Sequence, residues 1–295
     1  MMSIILGVLE EGLVYAIMAL GVYITYKILD FPDLSVDGTF PLGGAITATL
    51  ILAGFNPLAT LLIAFAAGVL AGCVTGFIHV KLKVRDLLSG IIVMTALYSI
   101  NLRLAGKSNV AFFNNDSIFE NALVSRLVPE GLSDISVIII LAVIVLIVKL
   151  LLDLYLKTRS GYLLRAVGDN ETLVTSLAKD KGSVKILGLA IANGLAALAG
   201  SVYCQQKGFF EISMGTGTIV IGLANVIIGT KLFKRFGAVK ATTAVVIGSI
   251  IYKACVSIAI YMGMEASDLK LITSVLFLGI LVLSNGRERK VKNHA

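Results

Sequence analysis

The chain has 295 residues, 57% of them hydrophobic and only 15% charged, with a mean hydropathy of +0.95. A soluble domain carries about 25% charged residues, so this composition excludes a water-soluble globule. Apolar stretches of about 18 or more residues recur along the whole length, which predicts an all-α, polytopic membrane protein forming a single domain over residues 1–295.

The opening "MMSIILGVLEEG" lacks the basic region and small-residue cleavage site of a removable signal peptide. It is expected to begin the first helix, with Glu10 and Glu11 near a membrane surface. About nine spans are predicted, near 5–27, 40–55, 57–80, 87–104, 134–156, 183–205, 211–232, 239–262 and 269–285. The second is short for a crossing of about 20 residues, as if the stretch before it supplied part of the length.

That stretch, "DFPDLSVDGTF" (30–40), sets three aspartates between two apolar runs. A charged side chain at mid-membrane costs about 2.5–3.5 kcal/mol on insertion scales. Pro32 removes a backbone donor and disfavours helix at Phe31, while Gly38 permits a sharp turn. Non-helical backbone at membrane depth is tolerated only inside protein or beside a water-filled cavity. The segment is therefore expected to be a broken or re-entrant lead into the second span, with Asp33, Ser35, Asp37 and Thr39 facing a polar path. An ordinary solvated interfacial loop is the competing reading.

On the third span, Ala64, Gly68, Gly72 and Gly76 form a small-residue face that favours close helix packing, with a subunit interface as the alternative. "AGKS" (105–108) does not complete a phosphate loop, because residue 101 is Asn and the tetrad ends a membrane helix. Residues 105–133 are long and polar, placed where a delivery partner or lid would act outside.

Residues 157–182, "KTRSGYLLRAVGDNETLVTSLAKDKG", are too polar to span. An apolar turn (Tyr162, Leu163, Leu164, Val167) is followed by Gly168 as a break. Asp169 or Asn170 is a candidate N-cap for a short helix showing Leu173, Val174, Leu177 and Ala178 on one face. Such an amphipathic element suits a lipid surface or a groove in a cytosolic partner; the residues alone leave both open.

"EISMGTGTIVIGLA" (211–224) echoes "DLSVDGTFPLGGA" (33–45), with Gly217, Thr218, Gly222 and Ala224 matching Gly38, Thr39, Gly43 and Ala45. Ser213, Thr216 and Thr218 join the polar-path candidates. Asn225, beyond Gly222, is either an interhelical hydrogen-bonding group or a path residue, and Asn193 and Lys253 share that ambiguity. Residues 81–86, 157–185, 231–240 and the tail 285–295 hold 17 of the 25 Lys and Arg. With nine spans and an outside N-terminus, all four clusters and the C-terminus become cytoplasmic. The net charge of +7 thus expresses orientation rather than affinity for nucleic acid. The echoed segments then enter from opposite sides, as inverted repeats: about 5–104, a linking helix and coupling segment at about 134–182, and about 183–285, a recurring transporter design.

Cys73, Cys204 and Cys255 read as packing residues, His79 and His294 stand alone, and no metal site or catalytic constellation is expected.

"DLSVDG" and the run from "RSGYLLRAVGDNETLVTSLAKDKG" through "GFFEISMGTG" resemble the permease subunits of bacterial ABC importers for branched-chain amino acids and ribose-type sugars. Gly161, Arg165, Ala166 and Asn170 fit that family's cytoplasmic coupling segment, whereas Lys179 or Asp180 stands where the family has Gly. The resemblance implies coupling to an ATPase through Gly161, Arg165, Ala166, Asp169, Asn170, Leu173, Val174 and Leu177. It implies two cytosolic ATPase subunits that carry the ATP and Mg, a second permease copy, an extracytoplasmic solute-binding protein and a bacterial plasma membrane, with no cofactor on this chain. The solute expected is small and polar, an amino acid ahead of a ribose-type sugar or nucleoside. An ion-coupled secondary transporter using Asp33 or Asp37 is the rival, and it leaves residues 157–182 without a purpose.

Overall fold

A computed structural model describes residues 2–121, 133–169, 180–233, 239–263, 268, 271, 273–275, 277–279 and 282. Helix α1 (Met2–Val22) is apolar and free of proline, and it runs on into a π-helical turn, Tyr23–Ile28. The chain leaves this turn through Asp30, whose φ of 51° is left-handed, and residues 29–35 are irregular, as Pro32 dictates. Helix α2 (Val36–Leu52) follows. It begins four residues before the predicted span, because the amides of Gly38 and Thr39 bond back to Ser35 O at 2.9 Å and draw the echoed segment into the first turn.

Helix α3 (Pro57–Val80) starts with the Asn56 side chain accepting from the Leu58 amide and Pro57 at its first turn, a preferred N-terminal pairing. Helix α4 (Asp86–Ala105) stops at Gly106 with φ 72°, the usual left-handed terminator. Strand β1 (Asn109–Ala111), α5 (Ser133–Tyr155), α6 (Arg159–Asp169), α7 (Lys181–Lys207) and β2 (Phe209–Glu211) come next. A 3₁₀ turn (Ile212–Gly215) leads into α8 (Thr218–Leu232), and α9 (Ala241–Tyr261) follows. Among the described residues seven helices are long and apolar enough to cross a membrane, and α2 is a shorter apolar one. The predicted ninth span at 269–285 lies largely outside the described residues.

Helices α1 and α7 pack against each other at the centre, and the large core cluster is built on them. The small-residue face of α3 lies on α7 rather than on a second subunit: a Cβ on Gly72 would fall 2.3 Å from Leu189 O. Helix α2 runs parallel to α7 at a constant offset, so that Thr39 meets Asn193, Gly43 meets Ala197 and Thr47 meets Ser201. Exchanging α1 with α7, α2 with α8 and α3 with α9 maps these contacts onto themselves. Helix α3 lies along α7 as α9 lies along α1, α2 packs on α7 as α8 packs on α1, and α2 meets α3 as α8 meets α9.

The two ends differ. At one, Asp30, His79, Asp86, Val167, Gly168 and Lys185 line a common polar cavity, so connections assigned to one side by the basic residues do converge. At the other, β1 pairs antiparallel with β2. There Gln205 on α7 accepts from the Ile118 amide (2.9 Å) and donates to Pro57 O (3.1 Å).

Candidate functional site

The irregular segment before α2 climbs along α7 and buries its first carboxylate. Asp33 accepts from the Ser35 amide (2.9 Å), the Ser35 hydroxyl (2.6 Å) and Asn193 Nδ2 (2.7 Å). Asn193 Oδ1 in turn accepts from Thr39 Oγ1 at 2.7 Å. Asp33, Ser35, Thr39 and Asn193 all have no exposed surface. A buried carboxylate this far inside is tolerable only because its lone pairs are filled by fixed donors. Gly90 of α4 permits the approach, since a Cβ there would lie 2.8 Å from the Leu34 amide nitrogen.

Asp37 does a different job. Its Oδ1 accepts from the Thr218 hydroxyl (2.9 Å) and the Ile219 amide (2.7 Å), and its Oδ2 from the Gly217 amide (2.9 Å). The carboxylate at the start of α2 therefore caps the start of α8, where unsatisfied amides and the helix dipole favour an anion. The two echoed segments meet directly, through Asp37 of one and Gly217–Ile219 of the other.

A cavity of about 790 Å³ opens beside this cap, between α1, α8 and α9. Ser213, Thr216 and Thr218 line it; Asp33, Ser35, Asp37, Thr39 and Asn225 do not. Asn225 is fully buried on α8, with neither amide atom hydrogen-bonded.

Sequence reasoning singled out Lys253 as an interhelical or path residue but missed the carboxylate that it pairs with. Glu11 on α1 bonds Lys207 at the end of α7 (2.8 Å) and forms an ion pair with Lys253 on α9. Lys207 Nζ sits 5.7 Å from the Tyr203 ring centre and Lys253 Nζ 5.7 Å from that of Tyr15, within cation–π range. Tyr15 stacks on Phe40 of α2 (6.1 Å between centres). The one available signal was that Glu11 and Lys253 each interrupt an apolar span with a charge.

The coupling candidates divide. Gly161 and Leu164 are buried, Ala166 is half-buried, and Arg165 is exposed on α6, with Tyr162 beside it at 59% exposure. Gly168, expected as a break, lies within α6, and the helix expected after it falls outside the described residues. A Cβ on Gly168 would fall 1.6 Å from Ile28 O and one on Gly161 2.4 Å from Tyr155 O, so both are glycines because backbone passes against them. Asp169 is the last described residue of α6, and Asn170, Leu173, Val174 and Leu177 lie outside the described residues.

Residues 4–284 match the family of branched-chain amino acid transport system permease components. A tyrosine transport system permease protein of Clostridioides difficile (strain R20291) is 47% identical over 284 residues, covering 96% of this chain and 92% of that one. The ribose import permease of Escherichia coli (strain K12) is 27% identical over 225 residues, 76% of this chain and 68% of that one. A probable branched-chain amino acid transport permease of Methanocaldococcus jannaschii is 26% identical over 228 residues, 72% of this chain and 70% of that one. No solved structure matches. A helical membrane chain with a broken crossing, a charged cavity and a short amphipathic helix at one end, it belongs to the branched-chain amino acid transport system permease family.

Proposed function

We propose that this permease carries an amino acid inward and is driven by a cytosolic ATPase that grips the segment 157–182. The observation that carries the reading is the seating of α6. Its inner face, Leu164 and Val167, is buried, and Gly161 and Gly168 clamp it to the end of α5 and to the π-helical turn below α1. Arg165 and Tyr162, three positions apart and so on one face, are left outward. A push on that face reaches α1 and α7, the two central helices, without slack. Closure of an ATP-loaded ATPase pair would then tilt one half of the molecule against the other. The broken segments at 33–39 and 211–218 would act as the gate, with Ser213, Thr216 and Thr218 on the solute path. Asp33, Ser35, Thr39 and Asn193 hold the first segment in shape, and Asp37 ties it to the second.

The partners in this reading are two ATPase subunits holding the ATP and Mg, a second permease copy and an extracytoplasmic solute-binding protein. The N-terminus lies outside and the C-terminus in the cytoplasm. An amino acid is favoured over a sugar by the 47% identity to a tyrosine permease and by a cavity carrying both signs of charge. The internal equivalence of α1–α3 with α7–α9 supports inverted repeats at about 5–104 and 183–285.

Arg165→Glu tests the docking claim. In vesicles holding the permease, ATPase and binding protein, ATP-driven uptake is expected to fall by about tenfold or more, the loss of at least one charge-assisted contact, with membrane insertion unchanged. Normal uptake by this variant refutes the claim.

A further inference from the structure

The cavity beside α8 holds chemistry that a neutral path has no need of. Glu11 and Lys253 lie within apolar helices, about 14 Å from the start of α1 and about 12 Å from the end of α9 at 1.5 Å per residue. Ionised side chains in such spans are costly and are found where they pair or serve a solute. These do pair, yet their side chains stay open, with relative exposures of 25% for Glu11 and 20% for Lys253.

Glu11 pairs with Lys253, which lines the cavity with it, and with Lys207, which lines a different one. The other positive feature of the cavity, the N-terminus of α8, is already neutralised by Asp37. An incoming carboxylate is therefore drawn to Lys253 and not to the helix end. Both lysines stand over tyrosine rings, and Tyr15, Tyr203 and Tyr252 all front the cavity. Its volume of about 790 Å³ falls within the range of about 300–1,000 Å³ of small-molecule sites.

We infer that this cavity is a contact site for a zwitterionic aromatic amino acid within the permease. Lys253 takes the α-carboxylate, Glu11 takes the α-ammonium group, and the tyrosines of the wall border the side-chain ring. The inference rests on the amino-acid reading above and adds a place and a selectivity to it. Binding exchanges the internal Glu11–Lys253 pair for two pairs with the solute, so contact is weak and reversible, as a path requires.

The test uses the permease–ATPase complex in lipid nanodiscs without its binding protein. Cys73, Cys204 and Cys255 are replaced by Ala, and Ser257→Cys on the cavity wall reports access to a maleimide. L-phenylalanine, phenethylamine and 3-phenylpropionate share the ring and differ in the two charges. Slowing of labelling by about threefold or more with phenylalanine is expected, with markedly less for the two singly charged analogues, as the loss of one charge-assisted contact requires. Lys253→Gln is expected to erase the advantage of phenylalanine over phenethylamine, and Glu11→Gln its advantage over 3-phenylpropionate. Lys253→Arg retains the effect and shows that the fold survives changes at this position. Equal protection by all three compounds, or none, overturns the site. Uptake of phenylalanine and of the other amino acids by the complete wild-type importer separates the two claims: phenylalanine uptake without differential protection overturns the site alone, and absence of uptake of any amino acid overturns both.

Discussion

Asn193 is the residue on which most of the buried polar network depends. It donates a hydrogen bond to Asp33 and accepts one from Thr39, and none of the three has exposed surface. Asn193→Leu keeps the volume and removes both contacts, leaving a buried carboxylate short of a donor. Hydrogen bonds to charged groups are worth about 1.5–3 kcal/mol, so a loss of about 2–3 kcal/mol is expected, visible as a lower unfolding midpoint in detergent. An unchanged midpoint would mean the network adds nothing to stability. The exposed Asp180, just before α7, presents the opposite case. The Ser183 hydroxyl, then the Gly182 amide, hold its carboxyl below the usual carboxylate range. A depressed value means that its contribution is present above the unfolded-state value and is lost as pH falls through the lowered one. Hydrogen exchange at the Gly182 amide is expected to be slow at neutral pH and to lose that protection in acid, and Asp180→Ala should make it fast throughout. Slow exchange in the variant would show that the cap is not what closes this turn. The sequence singled out Asp33 and Ser35 by their cost in an apolar setting, yet it placed them on a path. Only the position of Asn193, about 160 residues away, shows that their partners are internal.

At the level of elements, the parallel seam of α2 and α7 is a close joint. A Cβ on Gly43 would fall 1.8 Å from Ala197 O, and the obstacle is backbone, which cannot rotate aside. Gly43→Ala must therefore part the two helices, costing at least the roughly 1–3 kcal/mol typical of an overfilled core. The expected result is little folded protein in the membrane fraction. Gly7→Ala on α1 meets nothing within 4 Å and should gain up to about 1 kcal/mol of helix propensity, so it serves as the matched control. Equal yields of the two variants would contradict the seam. Glycine spacing on α3 was legible as a small face because period and residue size are local properties. Which helix lies on that face was not legible, since Leu189 and Asn193 are far along the chain. The same limit explains Gly168. A glycine in a polar loop signals a break as readily as a close approach, and only the carbonyl of Ile28 distinguishes them.

For the molecule as a whole, the alternation of ends was legible and the cavity was not. Basic residues sort by side through insertion, a rule each loop obeys on its own, so counting them grouped the connections that the structure brings together around Asp30, Asp86 and Lys185. The cavity is assembled from parts of the chain as distant as Glu11, Tyr203 and Lys253, and the Glu11–Lys207 pair spans 196 positions, beyond the reach of any periodicity. The grouping of the ends does not by itself say which end faces the cytoplasm, and the proposed mechanism depends on that answer because ATP is available on one side only. One end carries Lys81, Lys83, Arg85, Lys157, Arg159 and Arg165; the other, around β1 and β2, carries Arg103, Lys107 and Lys207 with Asn109, Asn114 and Asn115. Retention of Lys and Arg on the cytoplasmic side predicts α6 inside and β1 outside. In a chain with Cys73, Cys204 and Cys255 replaced, Asn114→Cys and Thr158→Cys put a reactive thiol at exposed positions of the two ends. A membrane-impermeant maleimide is expected to label Asn114→Cys on intact cells and Thr158→Cys only after permeabilisation. The reverse pattern would turn the molecule over and leave Arg165 facing a compartment without ATP, so that no ATPase could grip it.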